Sequence, residues 1–298
     1  MGAMPELPEV EALASFVGAR AAGRTVVGVE VGAISAVRSV APGPDDLVGV
    51  SVSGAGRSGK WLLVQGAEDG GEPVLAVHLA RAGWLRWYDE APPARVTIGK
   101  HPIALRVRFD DGSGFDLTEA GTHKRLAVHV ARRATDIDQI ASLGVEPLSA
   151  EFTPELLGGL LASRRQQIKG LLRDQRIIAG IGNAYSDEIL LVARTSPFAP
   201  TTSFDAERTA ALHAAVVGVL SSAVAESSGR PAAELKDAKR RGMRVHGRAG
   251  EPCGGWDGEP CGETVREVSF ADSALQYCPR CQTGGKLLAD RRLSRLLR

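Results

Sequence analysis

No cysteine occurs among the first 252 residues. That absence excludes a disulfide framework, or scattered structural thiols, from most of the chain. Net charge is nearly absent too: 36 Lys and Arg stand against 35 Asp and Glu, a formal +1. No global basic field announces nucleic acid, so any such surface must come from local clustering. No apolar run approaches the roughly 20 residues that span a bilayer. The start is acidic and proline-bearing, unlike a secretory leader, and neither an internal repeat nor a low-complexity tract is found. These absences predict a cytoplasmic globular protein with no membrane partner. The 298 residues allow about two ordinary domains.

All four cysteines lie close together near one end, as Cys253-x7-Cys261-x16-Cys278-x2-Cys281. Cys278-Pro279-Arg280-Cys281 has the spacing of a tight zinc knuckle. The first pair is wider than usual, and Gly254, Gly255 and Gly258 inside it let a longer loop fold back. The reading is one structural zinc per chain, held by four thiolates that leave no open position for water.

The start reads Met1-Gly2-Ala3-Met4-Pro5-Glu6-Leu7-Pro8-Glu9-Val10-Glu11. If the chain begins after Met4, Pro5 is a terminal secondary amine, able to attack an anomeric carbon and form an iminium. Glu6 stands next to it for proton transfer. Preceded by Met4, Pro5 lies inside an amide and has no nucleophilic lone pair.

Residues 5–20 read as a helix, with Val10, Leu13, Phe16 and Val17 on one stripe. From Thr25 to about Val130 the pattern turns to strands, at Thr25–Val31, Trp61–Val64, Val74–Leu79, Leu105–Phe109 and Leu126–Val130. Hairpin loops are expected at 69–72 and at Asp110-Asp111-Gly112. Strands so spaced suggest a sandwich or a barrel. Helices are predicted over Pro154–Ala162, capped by Thr153, then over Gln166–Gln175, Ala184–Ala193 and Ala206–Ser227.

The start at Pro5, Lys60 in Gly59-Lys60-Trp61-Leu62, the run Gly180-Ile181-Gly182-Asn183-Ala184-Tyr185 and the cysteine finger occur in this order. Together they resemble the formamidopyrimidine-DNA glycosylase / endonuclease VIII family over nearly the whole chain. The resemblance implies a multidomain α+β protein. Residues 5–134 would form an N-terminal catalytic β-sandwich with a leading helix, 135–152 a linker, and 153–244 a helix–two-turns–helix domain. Residues 245–284 would form a zinc finger hairpin, and 285–298 a basic tail, read as a packed C-terminal helix. The implied activity is excision of oxidised or ring-opened bases from double-stranded DNA by a monomer near the nucleoid. Cleavage of the abasic site by β-elimination would follow.

By the same resemblance Pro5 is the nucleophile, Glu6 assists sugar opening, and Lys60 holds a phosphate. Gly182 and Asn183 would meet another phosphate at a helix start. From their charge alone, Arg164, Arg165, Lys169, Arg173 and Arg176, with Asp174 as the one acid among them, read either as a solvated face or as part of the DNA track. Arg81 falls where the family places a methionine wedge, and Arg125 with Leu126 where it places an Arg-Phe pair. Ser273 stands where family fingers carry an arginine, with Arg266 and Arg280 nearby. The segment between the helices and the finger is short, where enzymes specialised for 8-oxoguanine have a longer closing loop, which argues against strong selectivity for that base. The alternative is a non-catalytic binder of damaged or bent DNA that keeps the scaffold.

Overall fold

The computed structural model describes residues 4–68, 72–99, 102–120, 124–270 and 274–289. Ser273 and the end of the basic tail lie outside these residues. The chain divides into two compact units. The first takes the chain up to Leu143 together with Val224–Ala238; the second takes Gly144–Ala223 and the chain from Lys239 onward.

The first unit opens with α1 (Leu7–Ala21) and continues through eight strands: β1 (Val26–Val31), β2 (Val52–Ser58), β3 (Trp61–Glu68), β4 (Glu72–His78), β5 (Gly83–Tyr88), β6 (Ile103–Phe109), β7 (Gly114–Glu119) and β8 (Ala127–Ala131). They make two four-stranded antiparallel sheets, ordered β1-β6-β7-β5 and β2-β3-β4-β8. The result is a sandwich. The strand period of two sorts the side chains. Leu62, Val64, Leu75, Val77, Val128 and Val130 meet Leu105, Val107, Phe109, Phe115 and Leu117 of the other sheet in one core.

Their neighbours Trp61, Leu63, Val74, Ala76 and Ala131 point the opposite way, against Ile137 and Ile140. The sheet is therefore buried on both faces, which is why β3 opens on the unbroken run Trp61-Leu62-Leu63-Val64. Ile140 belongs to a short helix α2 (Asp138–Ala141).

The outer face of the β1-β6-β7-β5 sheet carries charge instead. Arg106 donates to both Asp116 oxygens at 2.6 and 2.8 Å and to the Ala94 carbonyl at 2.9 Å. Arg108 pairs with Glu30 at 2.9 Å and donates to the Pro92 carbonyl at 2.5 Å, while Glu30 accepts the Val96 N–H at 2.6 Å. Two arginines thus strap the segment after β5 onto the sheet. The chain returns to this unit late: Ala232 and Leu235 join its core, and the Trp84 indole N–H donates to the Ala232 carbonyl at 3.0 Å.

The second unit is mainly helical, with α3 (Pro154–Ala162), α4 (Ile168–Arg173), α5 (Asn183–Val192) and most of α6 (Ala206–Ser227). Helix α7 (Leu235–Gly242) leads into the hairpin β9 (Arg266–Ser269) and β10 (Ala274–Tyr277), followed by α8 (Pro279–Thr283). Thr153 caps α3 by accepting the Leu156 N–H at 3.2 Å. The bridge of Val145 to Ile178 docks the incoming chain; a side chain at Gly144 would stand 2.2 Å from the Ile177 carbonyl oxygen.

Two sequence expectations change. The expected linker 135–152 is split: its first half covers a sheet of the first unit, and its second half belongs to the helical unit. Helix α6 is also long and apolar enough, by length and composition, to cross a membrane, although no such run stood out in the sequence. Its apolarity is diluted by alanine and glycine, and Leu212, Val216 and Leu220 are its buried stripe.

Asp116 and Arg106 are both almost wholly buried, so breaking the pair strands a charge. Asp116→Ala is expected to lower unfolding stability by about 3–5 kcal/mol in urea denaturation; a loss below about 1 kcal/mol, the range of exposed pairs, would contradict this reading.

Candidate active site

Helix α1 begins at a buried carboxylate. Glu6 is its N-cap, in extended conformation, and Glu9 accepts the Glu6 backbone N–H at 2.8 Å in a capping box. Pro5 and both glutamates are buried. Whatever Pro5 does, its carbonyl side is fixed by the first helical turn.

Lys60 lies in the two-residue turn between β2 and β3, where Ser58 pairs with Trp61. Gly59 takes the positive φ of 54° at the first central position, the arrangement that two-residue hairpins favour. Lys60 is buried nonetheless, at 8% exposure. The next residue, Trp61, pairs across the ladder with His78, whose ring packs on Trp61 at 5.1 Å between centroids. Burial, reinforced by the Lys60 ammonium, lowers the His78 pKa to about 4. An imidazole so shifted is neutral at pH 7, with one ring nitrogen a donor and the other an acceptor. Nothing in the sequence alone marks His78; the missing signal is its cross-strand place opposite Trp61.

Arg81 is exposed at the tip of the β4–β5 turn. The turn is closed by the Gly83 N–H on the Leu79 carbonyl at 2.9 Å, with Ala80 at a φ of 50°. A side chain at position 83 would lie 2.1 Å from that carbonyl, so glycine is required there. Arg125 is exposed as well, and the buried Glu119 holds its loop by accepting the Arg125 and Leu126 N–H groups at 2.7 and 3.0 Å. Leu126 is a core residue, 1% exposed, and so does not stand out as the partner of an arginine wedge.

In the second unit Gly182 is the N-cap of α5 and Asn183 its first residue. The Asn183 amide donates to the Ala274 carbonyl at 2.7 Å, which makes it a strut between α5 and the finger hairpin. Lys169, expected on the DNA track, is turned inward. It is buried and donates to the Asn183 carbonyl at 3.1 Å, Ser186 Oγ at 2.7 Å and Asp187 Oδ1 at 2.5 Å. An ammonium held by a fully buried carboxylate serves packing rather than phosphate. Arg164, Arg165, Arg173 and Arg176 remain exposed.

Asp187 also accepts from His246 Nδ1 at 2.8 Å. Next to it Glu188 accepts three consecutive backbone N–H groups, from Arg244, Val245 and His246, at 2.8 to 2.9 Å. Burial raises the Glu188 pKa, and these three donors oppose the rise. The two acids of α5 thus anchor the chain as it enters the cysteine module.

The four cysteine sulfurs lie within 4.8 Å of one another, with Cys261 and Cys278 Sγ 3.5 Å apart. Four sulfurs at about 2.3 Å from one ion would stand about 3.8 Å apart, so the cluster fits a tetrahedral metal. The wide first knuckle folds back where the sequence suggested: Gly255 has a φ of 78°, and a side chain there would meet the Glu259 carbonyl oxygen at 1.9 Å. Burial pushes the Cys253 thiol up and that of Cys281 to about 12, so thiolates at these positions need a cation beside them. Arg280, a candidate replacement for the finger arginine, instead donates to the Cys261 carbonyl at 2.6 Å.

A family model described as the formamidopyrimidine-DNA glycosylase N-terminal domain matches residues 4–132, and one described as the H2TH domain of the same enzymes matches residues 143–232. A formamidopyrimidine-DNA glycosylase of Chloroflexus aurantiacus is 33% identical over 288 residues, covering 94% of this chain and 98% of that protein. An uncharacterized formamidopyrimidine-DNA glycosylase-like protein of Mycobacterium tuberculosis is 55% identical over 152 residues, which is 51% of this chain and 93% of the other. Among solved structures, a Lactococcus lactis formamidopyrimidine-DNA glycosylase bound to DNA containing an abasic site aligns with a TM-score of 0.77 at 24% identity, over 93% of this chain and 99% of that one. That likeness concerns the fold.

The depressed His78 predicts a pH dependence. The unfolded imidazole takes up its proton near 6.5 and the folded one only near 4. Between these values the unfolded chain binds more protons, so stability is full above the window and falls as pH drops through it. Urea denaturation across this range is expected to give a slope that His78→Asn reduces. An unchanged slope would assign the effect to other groups.

Proposed function

Since the chain belongs to the formamidopyrimidine-DNA glycosylase family, a family of DNA glycosylases, we propose that it excises oxidised or ring-opened bases from double-stranded DNA and then cleaves the abasic site by β-elimination. The observation that carries this reading is the start of α1. A proline is followed at once by a buried glutamate whose backbone is locked by a second one, in the same unit as a buried lysine on a tight hairpin.

The chemistry requires Pro5 to be the terminal residue. Its secondary amine attacks C1′; the bond from C1′ to the base breaks, and the base leaves with the proton that the amine gives up. Glu6 protonates the ring oxygen as the sugar opens, and the nitrogen lone pair forms an iminium with C1′. Glu6, now a carboxylate, takes a proton from C2′, and the electron pair of that C–H bond expels the 3′ phosphate. Lys60 holds a phosphate beside the reacting sugar, and the exposed Arg81 and Arg125 fill the space left by the displaced base. Exposed arginines of the second unit supply further phosphate contacts.

Cys253, Cys261, Cys278 and Cys281 would hold zinc, which serves structure alone and takes part in no step. The shortness of the segment between the helices and the finger argues against a closing loop specialised for 8-oxoguanine. That segment is pinned to β5 through Trp84, with the Lys236 ammonium 4.5 Å from the indole centroid, and continues directly into α7. We therefore favour a broad range of oxidised and ring-opened bases. The enzyme would act as a monomer on chromosomal DNA in the cytoplasm.

Borohydride trapping on abasic-site DNA tests the reading. A chain starting at Pro5 is expected to give a covalent adduct, and the chain with residues 1–4 present is expected to give none. No adduct from the Pro5 form would favour a binder without chemistry. Glu6→Gln is expected to abolish excision of a damaged base while DNA affinity stays nearly unchanged; equal loss of both would remove its catalytic role. Cys278→Ser is expected to release the zinc, read by metal analysis, and to weaken DNA binding. Unchanged metal content would refute the site.

A further inference from the structure

One buried guanidinium joins the two halves of the candidate active site in the first unit. Arg57, near the end of β2, donates from Nε to Glu11 of α1 at 2.8 Å and from Nη1 to the Gly59 carbonyl at 3.3 Å. Its side chain is 8% exposed, whereas that of Glu11 is 39% exposed. Glu11 lies on the helix whose first turn carries Pro5 and Glu6; Gly59 is half of the turn that carries Lys60. Further along, α1 approaches β2 closely enough that a side chain at Gly18 would stand 3.2 Å from the Ala55 backbone nitrogen. The helix is therefore held by its apolar face in the core, by backbone proximity at Gly18 and, nearer its start, by Arg57.

We infer that Arg57 is a positioning residue, which sets the start of α1, with its amine and its carboxylate, against the phosphate-holding turn at Lys60. This rests on the function proposed above. Lysine cannot replace it, because an ammonium lacks the forked donors that reach a carboxylate and a carbonyl at once. Glu11 is the other half of the clamp. Its side chain is partly exposed, so Glu11→Gln removes the charge without opening the core. Catalysis depends on this register, because misplacing reacting groups by about 1 Å can cost on the order of a hundredfold in rate.

The test is single-turnover borohydride trapping on abasic-site DNA, with the chain starting at Pro5, well below each variant's melting temperature. DNA affinity is measured in parallel. Arg57→Lys and Glu11→Gln are each expected to slow adduct formation by about tenfold, with affinity nearly unchanged. The double variant should be no slower than the slower single one, since both changes break the same clamp. A purely stabilising contact would lower the melting temperature and leave the trapping rate alone. If the unsubstituted chain forms adduct and both variants match its rate, the inference is overturned and the proposed function stands. If the unsubstituted chain forms none, both fall.

Discussion

Charge taken out of water has to be met by a partner held in place, and here several buried charges tie together separate segments of the chain. Asp116 fixes Arg106, which in turn holds the segment after β5. Glu119 fixes the loop that displays Arg125. Lys169 and His246 meet on Asp187, and Glu188 gathers three successive N–H groups from the chain entering the cysteine module. Packing of apolar groups gives each unit its bulk, but it is indifferent to a small slide of one element over another. These hydrogen-bonded charges are not, and an enzyme that must hold reacting groups to within a fraction of an ångström depends on the difference.

Legibility in the sequence followed how local the cause was. Helix α3 was readable from Thr153 and Pro154, because its cap and first position are adjacent in the chain. The bounds of α6 were readable as well. Strand β2, by contrast, is Val-Ser-Gly-Ala-Gly-Arg-Ser, without apolar alternation, and it is a strand because β3 pairs with it from the other side of the Gly59 turn. Tertiary pairing overrode propensity there. Strands β5 (Gly-Trp-Leu-Arg-Trp-Tyr) and β7 (Gly-Phe-Asp-Leu-Thr-Glu) were passed over too, although their residues suit strands.

The site shows the same division. Pro5, Glu6, Lys60 and the cysteines stand in short motifs and could be picked out. Lys169 could not be placed correctly. Its neighbours Arg165 and Arg173, four residues away on either side, suggest one basic stripe, and nothing nearby reveals that Ser186 and Asp187 will face it. Arg57 was overlooked for the same reason: its meaning lies in Glu11, which only the folding of α1 along β2 brings within reach. At Arg81 and Leu126, where the resemblance implies other side chains, the backbone is tightly specified by Gly83 and Glu119.

The late return of Val224–Ala238 to the sandwich has a consequence for how the protein is made. As the chain emerges from the ribosome, both sheets are complete long before Ala232 and Leu235 exist, so the core edge beside Trp84 stays open while the helical unit is being synthesised. The nascent sandwich must tolerate that exposed patch, or have it shielded by a chaperone. A fragment ending shortly after Leu143 would carry the same open edge permanently, and its solubility would suffer accordingly.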